Sequence, residues 1–543
     1  MSQVQILQPR HFYRYKSIAP PHLRNEACGV QKVKKIGGVF LKKNSTSPSE
    51  PIRNHPHILE IQATHLFKHR TGKPLSVTHL ISVSDSYWRK IAEQGFDAVW
   101  IMGVWKRSPG ALECALRFEA LWKAGDFMLK GCCDEDFLGS PYAVYDYTLD
   151  PSFGSAEDLA KLRLKLNSFG LKMILDFVSN HLALDHPLTV SRPDLFVQAA
   201  EKDFEEDRPS FFKTPQGRYY AHGRDPYFPA WSDTVQVNYF SEGYRQFSEE
   251  QLLKIADVCD GVRCDMAMLG LNKIFKKIWN PYLKNMREPS AEYWAELISA
   301  VRTKHSQFLF IAEAYWDLEW ELQQLGFDYT YDKRFYDRLV KDSAGSVQAH
   351  LKAEQSFQSK SMRFIENHDE ERAVKVFGVE KSQAAAVAAY TVPGMRFFHE
   401  GQIEGKSFHP PIQFIRIPEE KPIKLLGDFY QILLEYSNDE ILHDGKWQLL
   451  EVTSVWKDDY HFKNMMAWGW EHKNQIRLII LNYSGETSQG RLRFPDEWLK
   501  KKTITLNDKM ASVTYVRDVE ELKKQGLYAA LPAWKAHLFE FGV

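Results

Sequence analysis

Four short segments carry polar, chemically capable side chains directly after or within apolar runs. They are Asp176-Phe177-Val178-Ser179-Asn180-His181, Arg263-Cys264-Asp265, Glu313, and Glu366-Asn367-His368-Asp369. Packing alone does not select such residues, because burying an unpaired charge costs far more free energy than burying an apolar side chain. Taken singly, each could cap a strand or join a structural ion pair. Together they favour one catalytic pocket.

The residue types indicate carboxylate chemistry. The chain has no Ser-His-Asp order, no glycine-rich phosphate loop and no HExxH motif. Two carboxylates suffice to cleave a glycosidic bond, one as nucleophile and one as acid/base, about 5–5.5 Å apart when the configuration is retained. A third carboxylate and two histidines could bind sugar hydroxyls and stabilise the oxocarbenium-like transition state.

The elements that must position these residues follow an alternating pattern of helix-like and strand-like segments. The strand candidates are His57–Ile61, Phe96–Ile101, Leu171–Phe177, Gly261–Asp265, Phe308–Glu313, Gly326–Thr330, Met362–Glu366 and Met395–Phe398. Eight strands separated by helices predict an α/β fold, a parallel (β/α)8 TIM barrel. Active sites of such barrels lie at the carboxyl ends of the strands, where the four segments fall.

Two regions interrupt this rhythm. Residues 182–238 are rich in Pro, Asp, Phe and Tyr, and an insertion this long after the third strand predicts a lid or inserted subdomain. After a last helix near 423–436, stretches of period two predict a C-terminal antiparallel β domain, at 465–471, 475–482, 490–494, 503–506 and 536–541. The predicted domains are a basic extension (1–55), a barrel (56–435) and the β domain (436–543).

The charge balance excludes some partners. Lysine plus arginine total 70, and aspartate plus glutamate also total 70, so the net charge is zero. The chain as a whole therefore has no excess positive charge that would attract nucleic acid. Residues 1–55 nevertheless hold ten basic and two acidic side chains, which fits a basic arm or an organellar targeting segment. No apolar run is long enough for a membrane span, and we expect a cytoplasmic protein.

The four segments, in this order, resemble the signature regions of the α-amylase family, glycoside hydrolase family 13. DFVSNH resembles the first region, GVRCD the second, IAEAYW the third and ENHD the fourth, while SPYAVYDY (140–147) is similar to the family's tyrosine-bearing loop. The resemblance covers roughly residues 57–440. It implies a TIM-barrel enzyme acting on an α-glucan or maltooligosaccharide.

Carried over by position, the resemblance implies a role for each matched residue. Asp265 would be the nucleophile, Glu313 the general acid and Asp369 the transition-state stabiliser. The other matched residues would bind substrate or support the pocket: Arg263, His181, His368, Tyr142 and Asp176. We expect Arg263 to keep Asp265 ionised and Glu313 to have a raised pKa, so that it starts protonated.

Two departures from the family pattern bear on the metal and the acceptor. Asn180 matches the family's calcium asparagine, but Met268 and Leu269 occupy positions where many members carry a Lys-His pair that serves the acceptor subsite and a calcium ligand. Calcium prefers about six to eight oxygen ligands, so we expect that no cofactor is required. The last strand ends Phe397-Phe398-His399-Glu400-Gly401-Gln402 instead of the more usual Tyr-Gly-x-Glu.

Three functions stay open at this point. The leading one is a retaining hydrolase of α-1,4-linked glucans that forms a covalent glycosyl-enzyme intermediate. A glycosyltransferase or phosphorylase of the same family would intercept that intermediate with a sugar or phosphate. A non-catalytic carbohydrate-binding scaffold is disfavoured, because all three carboxylates are present. Rings near strand ends or in the insertion could stack on glucose: Trp105, Tyr142, Phe228, Trp231 and Trp316. The sequence predicts no oligomeric state.

Overall fold

Eight parallel strands close into a barrel in the computed structural model, which describes residues 51–66, 79–283 and 286–543. The barrel strands are β1 (His57–Gln62), β2 (Ala98–Met102), β3 (Lys172–Val178), β4 (Gly261–Asp265), β5 (Leu309–Ala312), β6 (Tyr329–Tyr331), β7 (Ser361–Arg363) and β8 (Met395–His399). Each strand pairs with its neighbours in sequence, and β8 pairs with β1. The predicted (β/α)8 barrel is confirmed.

A helix follows each strand before the next one begins. The principal helices of this outer ring are Asp85–Glu93, Ala156–Ser168, Glu242–Val258, Tyr293–Lys304, Glu319–Gln324, Lys333–Lys341, Ala373–Tyr390 and Lys424–Ser437. The second shows how the sequence sets its limits: the Ser155 hydroxyl accepts from the Asp158 N–H and the Asp158 carboxylate accepts from the Ser155 N–H. Gly170 then takes a positive φ of 81°, which ends the helix before β3.

Strand register brings the polar strand ends together. Arg263 on β4 lies opposite Asp176 on β3 and Ile311 on β5, so Glu313 follows just beyond that level. On the other side of the barrel, Glu60 on β1 lies opposite His399 on β8. All residues of β3 and β4 are buried. The barrel interior at this end therefore has to accommodate charged side chains from several strands.

Two insertions cover the carboxyl end of the barrel. The first, after β2, pairs Trp105–Arg107 with Val144–Leu149 and carries the helices Pro109–Arg117 and Glu119–Met128. The second is the predicted inserted subdomain after β3. Its elements are the paired strands His181–Ala183 and Thr234–Gln236, the three-stranded sheet of Gln198–Ala199, Tyr219–Ala221 and Phe211–Lys213, and the short helices Leu188–Ser191 and Glu201–Glu206.

The C-terminal antiparallel β domain is also confirmed. A six-stranded sheet runs in the order Lys446–Leu450, Met465–His472, Gln475–Asn482, Ala536–Gly542, Thr503–Asp508 and Val513–Asp518. A smaller sheet contains Val452–Thr453, Ser488–Leu492 and Leu527–Leu531. The domain packs on the barrel, and the Trp470 indole N–H donates to the Thr391 carbonyl at 2.7 Å.

Residues 51–55 contact the amino-terminal end of the barrel. Arg53 lies 2.6 Å from Asp97, and the His55 ring packs edge-on against Trp470 with centroids 5.2 Å apart. The rest of the predicted basic extension, residues 1–50, lies outside the described residues. Among the helices that the structure describes, none combines the length and apolar character needed to span a membrane.

Candidate active site at the carboxyl end of the barrel

Arg263 is the centre of the site. Its Nη1 donates to Asp265 at 2.7 Å, and its Nη2 lies 2.8 Å from the Glu313 carboxylate. Asp176 is 3.7 Å from Nη1, and the guanidinium itself has no exposed surface. Because Asp265 and Glu313 contact one guanidinium, they lie close together, as a retaining double displacement requires.

The third carboxylate lies on the opposite wall with two aromatic partners. His368 Nε2 is 3.3 Å from Asp369 and 2.9 Å from the Tyr142 hydroxyl. The His368 and Tyr142 rings stack with centroids 5.5 Å apart. The Asp369 side chain is only 2% exposed, and its Oδ2 is the oxygen that lies 3.3 Å from His368 Nε2.

Asp176 and His181 complete the floor and rim of the pocket. Asp176 accepts the Gly103 backbone N–H at 3.2 Å, and burial raises its pKa to about 6 against the opposing effect of Arg263. His181 is buried beside Trp231, with ring centroids 4.9 Å apart, and burial lowers its pKa to about 3. The neutral ring can donate one hydrogen bond from one nitrogen and accept one at the other.

The pKa values of Asp265 and Glu313 are shifted in opposite directions. Burial raises the pKa of Asp265 to about 8, although Arg263 opposes the rise as expected. Burial also acts on Glu313, but Arg263 and two hydrogen bonds together hold its pKa below the usual value, whereas a raised pKa was expected. Those bonds come from the Met266 N–H and the Tyr315 hydroxyl, each at 2.7 Å. Burial and the charge of Arg263 therefore act against each other on both carboxyl groups.

Asp265 and Glu313 contact one guanidinium and therefore titrate as a pair, so their protons belong to the pair and not to either residue.

Sequence reasoning missed two residues that touch this machinery. Tyr315 follows Glu313 by two positions and donates to its carboxylate. Glu60 interrupts the apolar strand β1 and contacts His368 Nδ1 at 2.5 Å. Both carry the signal that identified the other site residues, a polar side chain in an apolar strand or directly after one. Glu60 escaped notice because it lies within the first strand rather than at its end.

Asn180, the residue that matched a calcium ligand, pairs with an amide. Its Oδ1 accepts from Gln236 Nε2 at 3.1 Å, and its own Nδ2 lies 3.3 Å from Gln236 Oε1. Within the described ranges, no cluster of three or more His, Cys, Asp or Glu side chains has a metal-binding arrangement. Amide oxygens can bind calcium, but the Asn180 oxygen already accepts a hydrogen bond from Gln236.

A cavity of 590 Å³ adjoins the catalytic residues. Aromatic and polar side chains line it together: Phe228, Met266, Tyr315, Trp316, Glu319 and Lys333. Glu319 is 8% exposed, and burial raises its pKa to about 7. Of the aromatic residues expected near the site, Phe228 and Trp316 line this cavity. Trp105 instead is buried and donates its indole N–H to the Asp176 carbonyl at 2.7 Å, which is a structural role.

The fold and site define a class of protein: a TIM barrel with three carboxylates at the carboxyl end of its strands. Residues 88–248 match the model of the alpha amylase catalytic domain. Over this part of the barrel the chain is similar to the α-amylase family.

Known relatives agree with this assignment. The chain is 26% identical over 305 residues to alpha-amylase 3 of Dictyoglomus thermophilum, covering 51% of this chain and 56% of that protein. It is 22% identical over 419 residues to a cyclomaltodextrinase of Thermoanaerobacter pseudethanolicus, covering 72% and 64%. Several curated relatives are thus matched over only about half of their length.

Solved structures share the architecture of almost the whole chain. The maltogenic alpha-amylase AmyB of Thermotoga neapolitana superposes with a TM-score of 0.63 at 19% identity, covering 90% of this chain and 99% of that one. An alpha-amylase of Geobacillus thermoleovorans also gives 0.63, at 16% identity, covering 91% and 100%. At these identities the likeness concerns the fold.

Proposed function

We propose that this protein is a retaining glycoside hydrolase that cleaves α-1,4-linked glucans through a covalent glycosyl-enzyme intermediate. The observation that carries the proposal is the buried guanidinium of Arg263, which contacts both Asp265 and Glu313. Asp369 is buried near enough to Glu313 for the two charges to interact, and its Oδ2 lies 3.3 Å from His368 Nε2. A scaffold without activity would have no use for three such costly buried carboxylates.

Each residue has a defined step in this reaction. Asp265 attacks the anomeric carbon while Glu313 protonates the departing glycosidic oxygen, and the glycosyl ester forms on Asp265. Glu313, now a carboxylate, removes a proton from water, whose oxygen attacks the anomeric carbon and releases Asp265. Asp369 and His368 stabilise the charge that develops on the sugar ring and its hydroxyls.

The adjoining cavity supports an oligosaccharide substrate. It reaches Met266 and Tyr315, which both contact Glu313, so it lies on the side where the leaving group departs. Trp316 and Phe228 offer ring faces for sugar stacking. The same space could hold an acceptor sugar, which makes transglycosylation the second candidate function.

The decisive experiment compares two carboxamide variants of one strand region. Asp265→Asn removes the nucleophile, and activity on maltoheptaose should fall by about a thousandfold or more, because the covalent step is lost. Asp260 precedes the amino end of β4 and accepts the Met173 N–H at 2.8 Å, far from the reacting atoms along the strand. Asp260→Asn should lower stability and leave kcat/KM unchanged. Equal activity of D265N and wild type would reject the proposal.

Product analysis separates the related reactions. A hydrolase releases reducing ends from maltoheptaose in water alone. A transferase yields longer products when maltose is added, and a phosphorylase yields glucose 1-phosphate only with inorganic phosphate. We expect reducing ends as the main product at neutral pH.

We propose that catalysis needs no metal ion, since the Asn180 amide oxygen already has Gln236 as its hydrogen-bond donor and Met268 and Leu269, which cannot bind calcium through their side chains, replace the family's Lys-His pair. Treatment with EDTA followed by gel filtration should leave both kcat/KM and the melting temperature unchanged. Restoration of a lost activity by added calcium would contradict this.

We also propose a cytoplasmic location. The five cysteines within the described residues are free thiols, which suits a reducing compartment. Cell fractionation with an antibody against the native protein would test this, and recovery in a secreted or organellar fraction would refute it.

A further inference from the structure

Glu60 is a buried carboxylate that the reaction scheme above does not use. It lies on β1, is 1% exposed, and projects to the same barrel interior as the catalytic residues. Its Oε1 is 2.5 Å from His368 Nδ1, and its Oε2 is 3.9 Å from His399 Nε2. Burying an unpaired carboxylate at such a depth costs several kcal/mol of free energy, so Glu60 stays ionised only beside a positively charged partner.

We propose that Glu60 is a positioning residue that keeps His368 as an imidazolium and fixes the direction of its Nε2–H. This inference rests on the proposed glycosidase function, because His368 acts there on the sugar. Three features support it: the geometry of the His368 ring, the charges around that ring and the residues that contact Glu60 from the other side.

The geometry gives His368 two acceptors on opposite sides. Nδ1 faces the Glu60 carboxylate, while Nε2 faces the Tyr142 hydroxyl oxygen at 2.9 Å and Asp369 at 3.3 Å. A neutral imidazole donates from only one nitrogen, whereas the imidazolium donates from both. The ring also packs edge-on against Trp100 and face to face with Tyr142, so it cannot turn away.

The surrounding charges favour the protonated ring. Burial opposes it, but Asp369 and Glu60 together raise the pKa of His368 to about 9. Groups from every neighbouring element face the ring: Glu60 from β1, Tyr142 from the loop after β2, Asp176 from β3, Arg263 from β4, Asp369 beside it, His399 from β8, and His409 at its carbonyl. Arg263 opposes protonation, so Glu60 is needed beside Asp369 to offset it.

A second buried pair supports Glu60 from behind. Glu366 accepts from Arg372 Nη1 at 2.6 Å, and His399 lies between this pair and Glu60, 3.3 Å from Glu366. Arg372 also donates to the Glu400 carbonyl at 2.7 Å. Burial and Arg372 hold the pKa of His399 well below its usual value, so His399 stays neutral. His368 is therefore the nearest charged partner of Glu60, with Arg263 acting on the carboxylate in the same direction.

The test measures the charge of His368 directly and then its effect on catalysis. In wild-type protein labelled with ¹⁵N-histidine, the His368 resonances, assigned by their loss in His368→Asn, should remain those of an imidazolium from pH 6 to pH 8. In Glu60→Gln they should become those of a neutral ring within that range. At pH 7, kcat/KM of E60Q on maltoheptaose should fall at least about tenfold, since one pKa unit is a tenfold change in protonation. The loss should shrink as the pH is lowered.

Two further variants keep the result interpretable. Glu60→Asp retains the charge and should recover part of the loss. Asp508→Asn removes another buried carboxylate–histidine contact, 2.6 Å from His537 in the C-terminal domain, and should leave the pH profile unchanged. A neutral His368 in wild type at pH 7, or an E60Q profile that matches wild type, would overturn the proposal. If wild type has no glycosidase activity but His368 titrates as described, the proposed function fails and the positioning role of Glu60 stands.

Discussion

Strands β1 and β8 carry buried polar residues at both ends of the barrel, and the two ends use them in opposite ways. At the carboxyl end, Glu60 on β1 and His399 on β8 lie beside His368. At the amino end, His57 on β1 lies opposite Arg396 on β8. The carboxylate beside them is that of Asp97, 4.0 Å from the His57 ring. The same two strands thus contribute residues to the candidate active site at one end and to a structural cluster at the other.

The difference shows that the sign of the neighbours decides the charge of a buried imidazole. Carboxylates around His368 raise its pKa to about 9, against the effect of burial. At the amino end, burial and Arg396 lower the pKa of His55 to about 3 and act in the same direction on His57 and His443. These neutral rings serve as hydrogen-bonding and packing groups.

The largest expected effect is at the carboxyl end. Asp369→Asn replaces the buried oxygen that faces the substrate, so charge stabilisation in the transition state is lost. We expect kcat to fall about a thousandfold with little change in the free energy of unfolding, because the cost of burying the Asp369 charge and its contact with His368 are lost together. Steady-state kinetics on maltoheptaose and urea unfolding would measure both. A fall in the free energy of unfolding with unchanged kcat would show that Asp369 stabilises the fold and takes no part in catalysis.

The matching change at the amino end should affect stability instead. Arg396 donates to the Ser437 carbonyl at 2.6 Å and the Leu442 carbonyl at 2.8 Å, and it has no exposed surface. Arg396→Met leaves both carbonyls without this donor, and we expect the free energy of unfolding to fall by about 3 kcal/mol. Below the unfolding transition, kcat/KM should equal that of wild type. A loss of activity at unchanged stability would contradict the division between the two ends.

The predicted acid sensitivity comes from the same cluster. A histidine with a pKa near 3 when folded and about 6.5 when unfolded binds its proton first in the unfolded state, so stability is full above pH 6.5 and falls towards pH 3. His368 has the opposite sign: its contribution is present below pH 6.5 and is lost as the pH rises through about 9.

His55→Gln provides the test of this acid sensitivity. The Gln oxygen can still accept the Gly394 N–H that His55 Nδ1 accepts at 2.9 Å. Between pH 7 and pH 5, urea unfolding of wild type should lose about 2 kcal/mol more than the variant. Parallel losses in the two proteins would show that His55 is not neutral in the fold.

The barrel was predictable from the sequence because its strands are short apolar runs that end in polar residues. The strand Gly261–Asp265 was predicted with its bounds, whereas β7 was predicted to begin one residue late and to end three residues late. The insertion after β2 was missed, since its helix Glu119–Met128 is short and its hairpin has an irregular register. Likewise, the edge strand Val513–Asp518 is too exposed to show an apolar alternation.

The candidate site was predictable in its membership but not in its protonation. The four segments and their order predicted Asp265, Glu313 and Asp369. In the structure, the strand register places Arg263 beside Asp176. The pKa values depend on depth of burial and on backbone donors such as the Met266 N–H, which only the folded structure supplies. Partners distant in sequence, such as Glu60 and His368, lie 308 positions apart and share no local pattern.

The smallest expected effect is at the edge of the amino-end cluster. Arg53 contacts Asp97 at 2.6 Å and donates to the Gly95 carbonyl at 2.9 Å, but its side chain is 27% exposed. Arg53→Ala loses these bonds, yet it also removes a positive charge that acts against protonation of His57 and His443. Water can replace part of the lost bonding at this exposure, so we expect a loss of about 1 kcal/mol in urea unfolding at pH 7. Because the two histidines gain protons more readily in the variant, its stability should fall less steeply with acid than that of wild type. A loss as large as that of R396M would mean that the amino-end cluster is held together by its rim and not by Arg396.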